Sequence, residues 1–233
     1  MTYIVLIASV VVGVLLVQFI KDLKPSATKL LLAFSGAYLF AISVFHLLPE
    51  IYLDGDKQIG LFLLIGFILQ IFLEFFSQGI EHGHGHLKNK SIPISMLVSL
   101  AIHAYLEGMP LGGVEHHHHT HSNTELENPL LMGIALHKIP VTVVLMSLFA
   151  QAGYSRTKSL IFIAIFALMT PLGTLSADVV QELYHYDREI HAIVAGIFLH
   201  ISTTILFESS EGHKFNAQKL VVIALGSLLA WLV

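Results

Sequence analysis

The chain has 233 residues, of which 55% are hydrophobic and only 12% charged, and its mean hydropathy is +0.77. A soluble domain carries about 25% charged residues, so this composition excludes both a solvated globular surface and a disordered chain. The absence of cysteine excludes a disulfide framework, a thiolate metal site and a thiol nucleophile, and the formal charge of -4 excludes nucleic acid as an expected partner.

A transmembrane helix needs about 20 mostly apolar residues. Eight stretches meet or approach that length: Tyr3–Ile20, Leu30–Leu48, Ile59–Phe76, Ile92–Val114, Pro129–Gln151, Leu160–Val180, Ile190–Phe207 and Phe215–Val233. The expected fold class is therefore an all-α integral membrane protein, with residues 1–233 forming a single transmembrane domain and the lipid bilayer as its surroundings. Lys219 lies inside the eighth stretch, one turn from its end, where a lysine can snorkel to the interface. The first stretch has no basic residues ahead of it and is followed by Lys21 and Lys24, the pattern of a retained helix rather than a secretory signal.

The basic residues set the orientation. With eight spans and the N-terminus outside, the inner connections hold Lys21, Lys24, Lys29, Lys88, Lys90, Arg156, Lys158, Lys214 and Lys219, and the outer ones Lys57 and Arg188. Nine against two is a positive-inside bias that places both termini outside. Gly36-Ala37-Tyr38-Leu39 in the second span echoes Gly196-Ile197-Phe198-Leu199 in the seventh, which crosses in the opposite direction. Such inverted repeats are common in secondary transporters, and here they give a 3+2+3 arrangement with the fourth and fifth spans as a central pair.

Ionisable groups at bilayer depth cost ~2.5–3.5 kcal/mol each on insertion scales, and here they gather in the central pair. In the fourth span His103 and Glu107 are four residues apart and share one helix face, an imidazole and a carboxylate able to hold a borderline divalent ion. Pro110, Gly112 and Gly113 loosen the helix beyond them, as backbone lining a cavity can be. In the fifth span His137 can supply a third ligand if the two helices pack face to face, and Pro140 removes the backbone bond to the Leu136 carbonyl. The plainer alternative for these histidines is hydrogen bonding between helices.

The two helices resemble the ZIP family of divalent-metal transporters, which typically has eight spans and outside termini. His103-Ala104-Tyr105-Leu106-Glu107-Gly108 resembles the family's His-Asn-x-x-(Asp/Glu)-Gly, and His137-Lys138-Ile139-Pro140-Val141-Thr142 its (His/Gln)-(Glu/Asn)-x-Pro-(His/Glu)-(Glu/Gly). His46-Leu47-Leu48-Pro49, Thr170-Pro171-Leu172-Gly173 and Ala195–His200 followed by Glu208 look like its second, sixth and seventh helices. Many family members bind two metals side by side. Here Ala104, Lys138, Val141 and Thr170 stand where second-site ligands are expected, Val141 also where the first site has one, while the first site survives as His103, Glu107 and His137. Lys138 is read as a substitute for the second metal, its ammonium balancing Glu107; the alternative is a lysine that snorkels or pairs with Glu107 in an inactive site.

The resemblance implies transport of a divalent cation towards the cytoplasm, with zinc as first choice because His and carboxylate suit it; iron, manganese, cobalt and nickel share the ligand preference. It implies no enzyme, and a homodimer. His46, Glu50, His200, Glu208 and His213 are candidate pathway or accessory residues, while Glu74 and Asp178, towards span ends, read as solvated caps. His82, His84 and His86 in the inner loop, and His116, His117, His118, His119 and His121 in the outer loop, are compositional metal-binding tracts that gather metal. The rival functions are a non-transporting metal sensor or binding protein and an intramembrane zinc hydrolase, the latter lacking a His-Glu-x-x-His signature. Short connections and no targeting segment fit a multi-pass protein of a bacterial inner membrane.

Overall fold

The computed structural model describes residues 1–19, 25–53, 55–77, 79, 92–112, 128–208 and 217–233, without the side chains of Pro25, Gln181, Tyr184 and Glu208. Among these residues the secondary structure is entirely helical. The helices are α1 (Thr2–Phe19), α2 (Pro25–Ile42, continued by a π-helical Ser43–Leu47 and by Leu48–Ile51), α3 (Ile59–Ser77), α4 (Ile94–Gly108, tightening to a 3-10 turn over Met109–Leu111), α5 (Pro129–Gln151), α6 (Arg156–Val179), α7 (Asp187–Glu208) and α8 (Ala217–Leu232). Seven are long and apolar enough to cross a membrane; α8, with 16 residues, is shorter.

The expected spans reappear, the fifth with its bounds unchanged and the others with one or both ends displaced by a few residues, and local chemistry fixes several of the ends. Asn128 opens α5: its side-chain oxygen accepts from the backbone N–H groups of Leu130 and Leu131 at 3.0 and 3.1 Å, ahead of Pro129 at the first helical position. Helix α6 starts at Arg156, ahead of the apolar run, because Ser155 Oγ caps the N–H of Lys158 at 3.3 Å. Gly153, with φ of 74°, makes the sharp turn that joins α5 to α6. In α2, Pro49 has no N–H for the Phe45 carbonyl and its ring crowds that oxygen; the backbone widens there, and Leu48 N–H bonds to Ser43 O. The loosening expected beyond Glu107 appears as the 3-10 turn at Pro110 and an extended Gly112, with ψ of 164°.

Helix α5 is apolar almost all round and buried on nearly every side, which places it at the centre of the bundle. Of the seven long helices, α1 and α3 bury the smallest part of their length and expose Ile4, Phe19, Ile68, Phe72 and Phe75. The seams between helices run through small residues, as close packing without a hydrophobic driving force requires. A Cβ at Gly66 of α3 would lie 1.9 Å from the Ile193 carbonyl oxygen of α7, and one at Gly196 of α7 would lie 2.0 Å from that of Leu63. Gly108 and Gly173 play the same part between α4 and α6, at 2.1 Å from Thr170 O and 2.0 Å from Tyr105 O. Gly13 brings α1 against Ile139 and Thr142 of α5, and Gly226 brings α8 against Phe34 of α2. The main pairings are thus α3 with α7, α2 with α8, α1 with α5 and α4 with α6.

Candidate metal centre

Helix α4 delivers His103 and Glu107 to the interior on one face, 3% and 1% exposed, with His103 Nε2 3.6 Å from Glu107 Oε2. Two ligand atoms sharing a tetrahedral zinc, each ~2.1 Å from it, stand ~3.4 Å apart, so this nitrogen and this oxygen already have nearly the separation that one ion requires. The other ring nitrogen, Nδ1, is 3.2 Å from Gln70 Oε1 on α3. A carbonyl oxygen only accepts, so Nδ1 donates to Gln70, and Nε2 is the ring nitrogen that faces the carboxylate.

The second oxygen of Glu107 has different company. Glu107 Oε1 forms an ion pair with Lys138 Nζ from α5 and lies 2.9 Å from Thr170 Oγ1 of α6. The same hydroxyl lies 2.7 Å from the Ala104 carbonyl, and its single proton serves both acceptors. The Lys138 ammonium, 1% exposed, sits 4.5 Å from the centre of the Phe166 ring, a cation–π contact that strengthens when desolvated. The two substituted positions Lys138 and Thr170 therefore converge on one carboxylate oxygen, and His103 faces the other.

His137 is buried at 2% exposure on α5, next to Lys138. Among the described residues no three His, Asp or Glu side chains are gathered to hold a metal ion. Val141, three residues beyond Lys138, is buried and apolar.

The remaining expected residues are spread through the molecule. His46 lies in the π-helical segment and its Nε2 donates to the Ala230 carbonyl at 3.1 Å, tying α2 to α8. Glu50 is half-buried one turn further along. Lys219 does not extend outwards: its Nζ donates to the Leu206 carbonyl at 2.7 Å and closes the last turn of α7. Asp178 accepts from the Tyr3 hydroxyl at 2.7 Å. The side chain of Glu208, together with His213, the inner tract His82, His84 and His86, and the outer tract His116, His117, His118, His119 and His121, lie outside the described residues.

Three further polar features escape a reading of the sequence. Gln70, fully buried, orients His103. Glu74, four residues on, is no solvated cap but the partner of His200 on α7, with Oε2 and Nε2 2.5 Å apart. At the other end of α7, His191 Nδ1 donates to the Asp187 carbonyl at 2.8 Å while Arg188 Nε donates to Ile51 O at 2.8 Å, fixing the start of α7 to the end of α2. For Gln70 and Glu74 a signal existed: their i, i+4 spacing puts them on the stripe of Gly66, Leu73 and Ser77 that α3 buries.

Apolar helices long enough to span a bilayer, together with a buried imidazole–carboxylate–ammonium cluster at their centre, define a multi-pass membrane protein. The family model described as ZIP Zinc transporter matches residues 86–233, which run from α4 through α8. The chain belongs to this family, a family of transporters and not of enzymes. Zinc transporter ZIP9-B of Xenopus laevis is 28% identical to it over 158 residues, covering 62% of this chain and 50% of that protein. The chain thus spans about half the length of the curated relative that it matches.

Proposed function

We propose that the chain carries a divalent metal ion, zinc first, across the membrane towards the cytoplasm through a site on α4 and α5. The observation that carries this reading is the division of Glu107 between two sides: Oε2 faces His103 Nε2 at 3.6 Å, while Oε1 is held by Lys138 and Thr170. One ion fits between His103 and Glu107. The Lys138 ammonium stands where a second ion would sit and leaves room for the first. His137 joins as third ligand when α5 turns, and water completes the shell. A helix turn of this kind, with one set of helices rocking against the other, is how alternating access proceeds.

The name of the Xenopus relative and the zinc-transporter family support zinc as substrate; iron, manganese, cobalt and nickel suit the same donors. The helix pairings support a 3+2+3 arrangement. Exchanging α1 with α6, α2 with α7, α3 with α8 and α4 with α5 maps the α3–α7 seam onto α8–α2 and the α1–α5 seam onto α6–α4. In this reading 1–233 is one transmembrane domain with both termini outside, assembling as a homodimer in a bacterial inner membrane. The two histidine tracts collect metal on either side.

The alternative is a membrane metal sensor. It is favoured by the buried Lys138–Glu107 pair and by the absence of a third gathered ligand among the described residues. Zinc uptake into proteoliposomes separates the two. Transport gives saturable uptake that collapses in His103→Ala, whereas binding by the same preparation without uptake establishes the sensor.

A further inference from the structure

Helices α4 and α6 run side by side and touch most closely in their second halves. A Cβ at Gly108, Gly112 or Gly173 would strike the facing backbone, and the Oγ1 atoms of Thr170 and Thr174 donate to Ala104 O and Gly108 O at 2.7 and 2.9 Å. Nearer their starts the seam opens into a crevice of about 320 Å³, its mouth included, between Leu97 and Ala101 of α4 and Phe162 and Phe166 of α6, with the buried Leu145 and Phe149 of α5 behind. Every side chain that lines it is apolar. Ile165 in its wall is 46% exposed, and Val98 and Ile102, beside Leu97 and Ala101, are exposed too, so the crevice opens at the lipid-facing surface.

A series of rings leads from this crevice to the start of α6. Phe149 stacks on Phe162 with ring centres 5.7 Å apart and on Tyr154 at 5.8 Å, and Lys158 Nζ sits 4.0 Å from the centre of the Tyr154 ring. Lys158, Phe162 and Phe166 are spaced four residues apart on α6 and form one stripe. Arg156 and Lys158 are exposed, and among the described residues neither is in an ion pair. The chain carries no Asp or Glu between Glu127 and Asp178, so this end of the stripe is positive without a carboxylate in the same stretch. From Lys158 to Phe166 the helix rises roughly 12 Å. The acyl layer of one leaflet is ~15 Å deep, half of a hydrocarbon core of about 30 Å.

We propose that this crevice binds an anionic phospholipid, with the headgroup on Lys158 and Arg156 and one acyl chain packed along Phe162 down to Phe166. The stripe has the order such a lipid has, charge at the interface and carbon below it, over the depth of a single leaflet. A zwitterionic lipid offers the same carbon but carries its own cation to the two basic residues, so charge selects the occupant. The chain packs against Phe166, whose ring also holds the Lys138 ammonium at 4.5 Å, and the lipid thereby stiffens one wall of the central cluster. The site requires only that the chain cross a bilayer and is independent of which ion is carried.

Brominated acyl chains quench a tryptophan that they touch. Trp231, the only tryptophan, is exposed on α8, so the wild type reports bulk lipid, while Ile165→Trp in a Trp231→Phe background reports the crevice. The full chain is reconstituted in phosphatidylcholine vesicles containing rising fractions of brominated phosphatidylglycerol or, separately, brominated phosphatidylcholine. A basic residue at a bilayer surface favours an anionic lipid by about fivefold. The proposal therefore predicts that the crevice tryptophan is half-quenched at a phosphatidylglycerol fraction at least about fivefold below that for phosphatidylcholine. It predicts no such preference at Trp231, and loss of the preference when Arg156→Gln and Lys158→Gln are added. Should Ile165→Trp fail to elute as folded protein, Phe162→Trp gives the same readout. Equal quenching by the two lipids overturns the site and leaves a groove filled by bulk lipid. A preference unchanged without Arg156 and Lys158, or a crevice tryptophan that neither lipid quenches, overturns it as well. Metal flux does not enter this readout, so its outcome and that of the transport assay are independent.

Discussion

Replacing Lys138 with methionine removes the ammonium while keeping an unbranched chain against Phe166. The carboxylate it leaves behind is 1% exposed, with the Thr170 hydroxyl as its remaining neutral donor at 2.9 Å. Removing one partner of a buried ion pair costs about 3–5 kcal/mol, because the other charge stays buried without compensation. In a helical membrane protein, whose unfolded reference retains some partners, the lower end, about 3 kcal/mol, is expected. Glu107→Gln in the same chain removes the stranded charge, so the double variant Glu107→Gln/Lys138→Met recovers most of the loss. Zinc separates a balancing role from a merely structural one. A divalent ion on His103 and Glu107 restores the missing positive charge, so zinc raises the unfolding temperature of Lys138→Met by more than that of the wild type. Thermal unfolding in detergent with and without zinc, followed through Trp231, the only tryptophan, provides the measurement. Equal stability of Lys138→Met and wild type, with no coupling in the double-mutant cycle and the same zinc response, would refute the claim that Lys138 substitutes for a metal.

The remaining predictions concern the supports of the site and the seams. Gln70→Leu removes the acceptor that sets the His103 tautomer and lowers zinc affinity by about 10–100-fold, measured by calorimetry against the wild type. Thr170→Val keeps the shape and removes the hydroxyl shared by Glu107 and Ala104 O; a stability loss of about 1–3 kcal/mol is expected, and a change below thermal-melt resolution counts against it. Gly66→Ala drives a methyl group to within 1.9 Å of the Ile193 carbonyl and pushes α3 from α7, whereas Gly133→Ala meets only side-chain atoms at 3.4 Å or more. The first therefore costs about 1–3 kcal/mol and the second almost nothing, as read from yield and melting temperature of the purified proteins.

Which parts of this architecture could be seen in the sequence follows from how local each cause is. The spans are local, since an apolar run of the right length leaves little choice in a bilayer, and the starts of α5 and α6 are fixed by the neighbouring caps Asn128 and Ser155. The His103–Glu107 pair is local too, being fixed by i, i+4 spacing on one helix. The meeting of Lys138 with Glu107 is not local: a buried ammonium needs a carboxylate, Glu74 and Asp178 also lie within spans, and it is the resemblance that puts Lys138 beside Glu107. His137 shows the limit of such arguments. Spacing says that it is near the site, but the way it meets α4 depends on the rotation of α5, set by packing against every helix around it. Gln70 and Glu74 are isolated polar residues in an apolar run, and their partners lie 33 and 126 positions away. Nothing short of the α3–α4 and α3–α7 contacts joins them. Glu74 read as a solvated end group for the same reason: its closeness to the helix end was visible, and the imidazole across the seam was not.

The most direct test of the account is anomalous diffraction at the zinc edge from crystals of the protein soaked in zinc. One peak between His103 Nε2 and Glu107 Oε2, with the Lys138 ammonium still on Oε1, is the result expected. Two adjacent metal peaks with Lys138 swung away, or zinc on the histidine tracts with none beside Glu107, would contradict it.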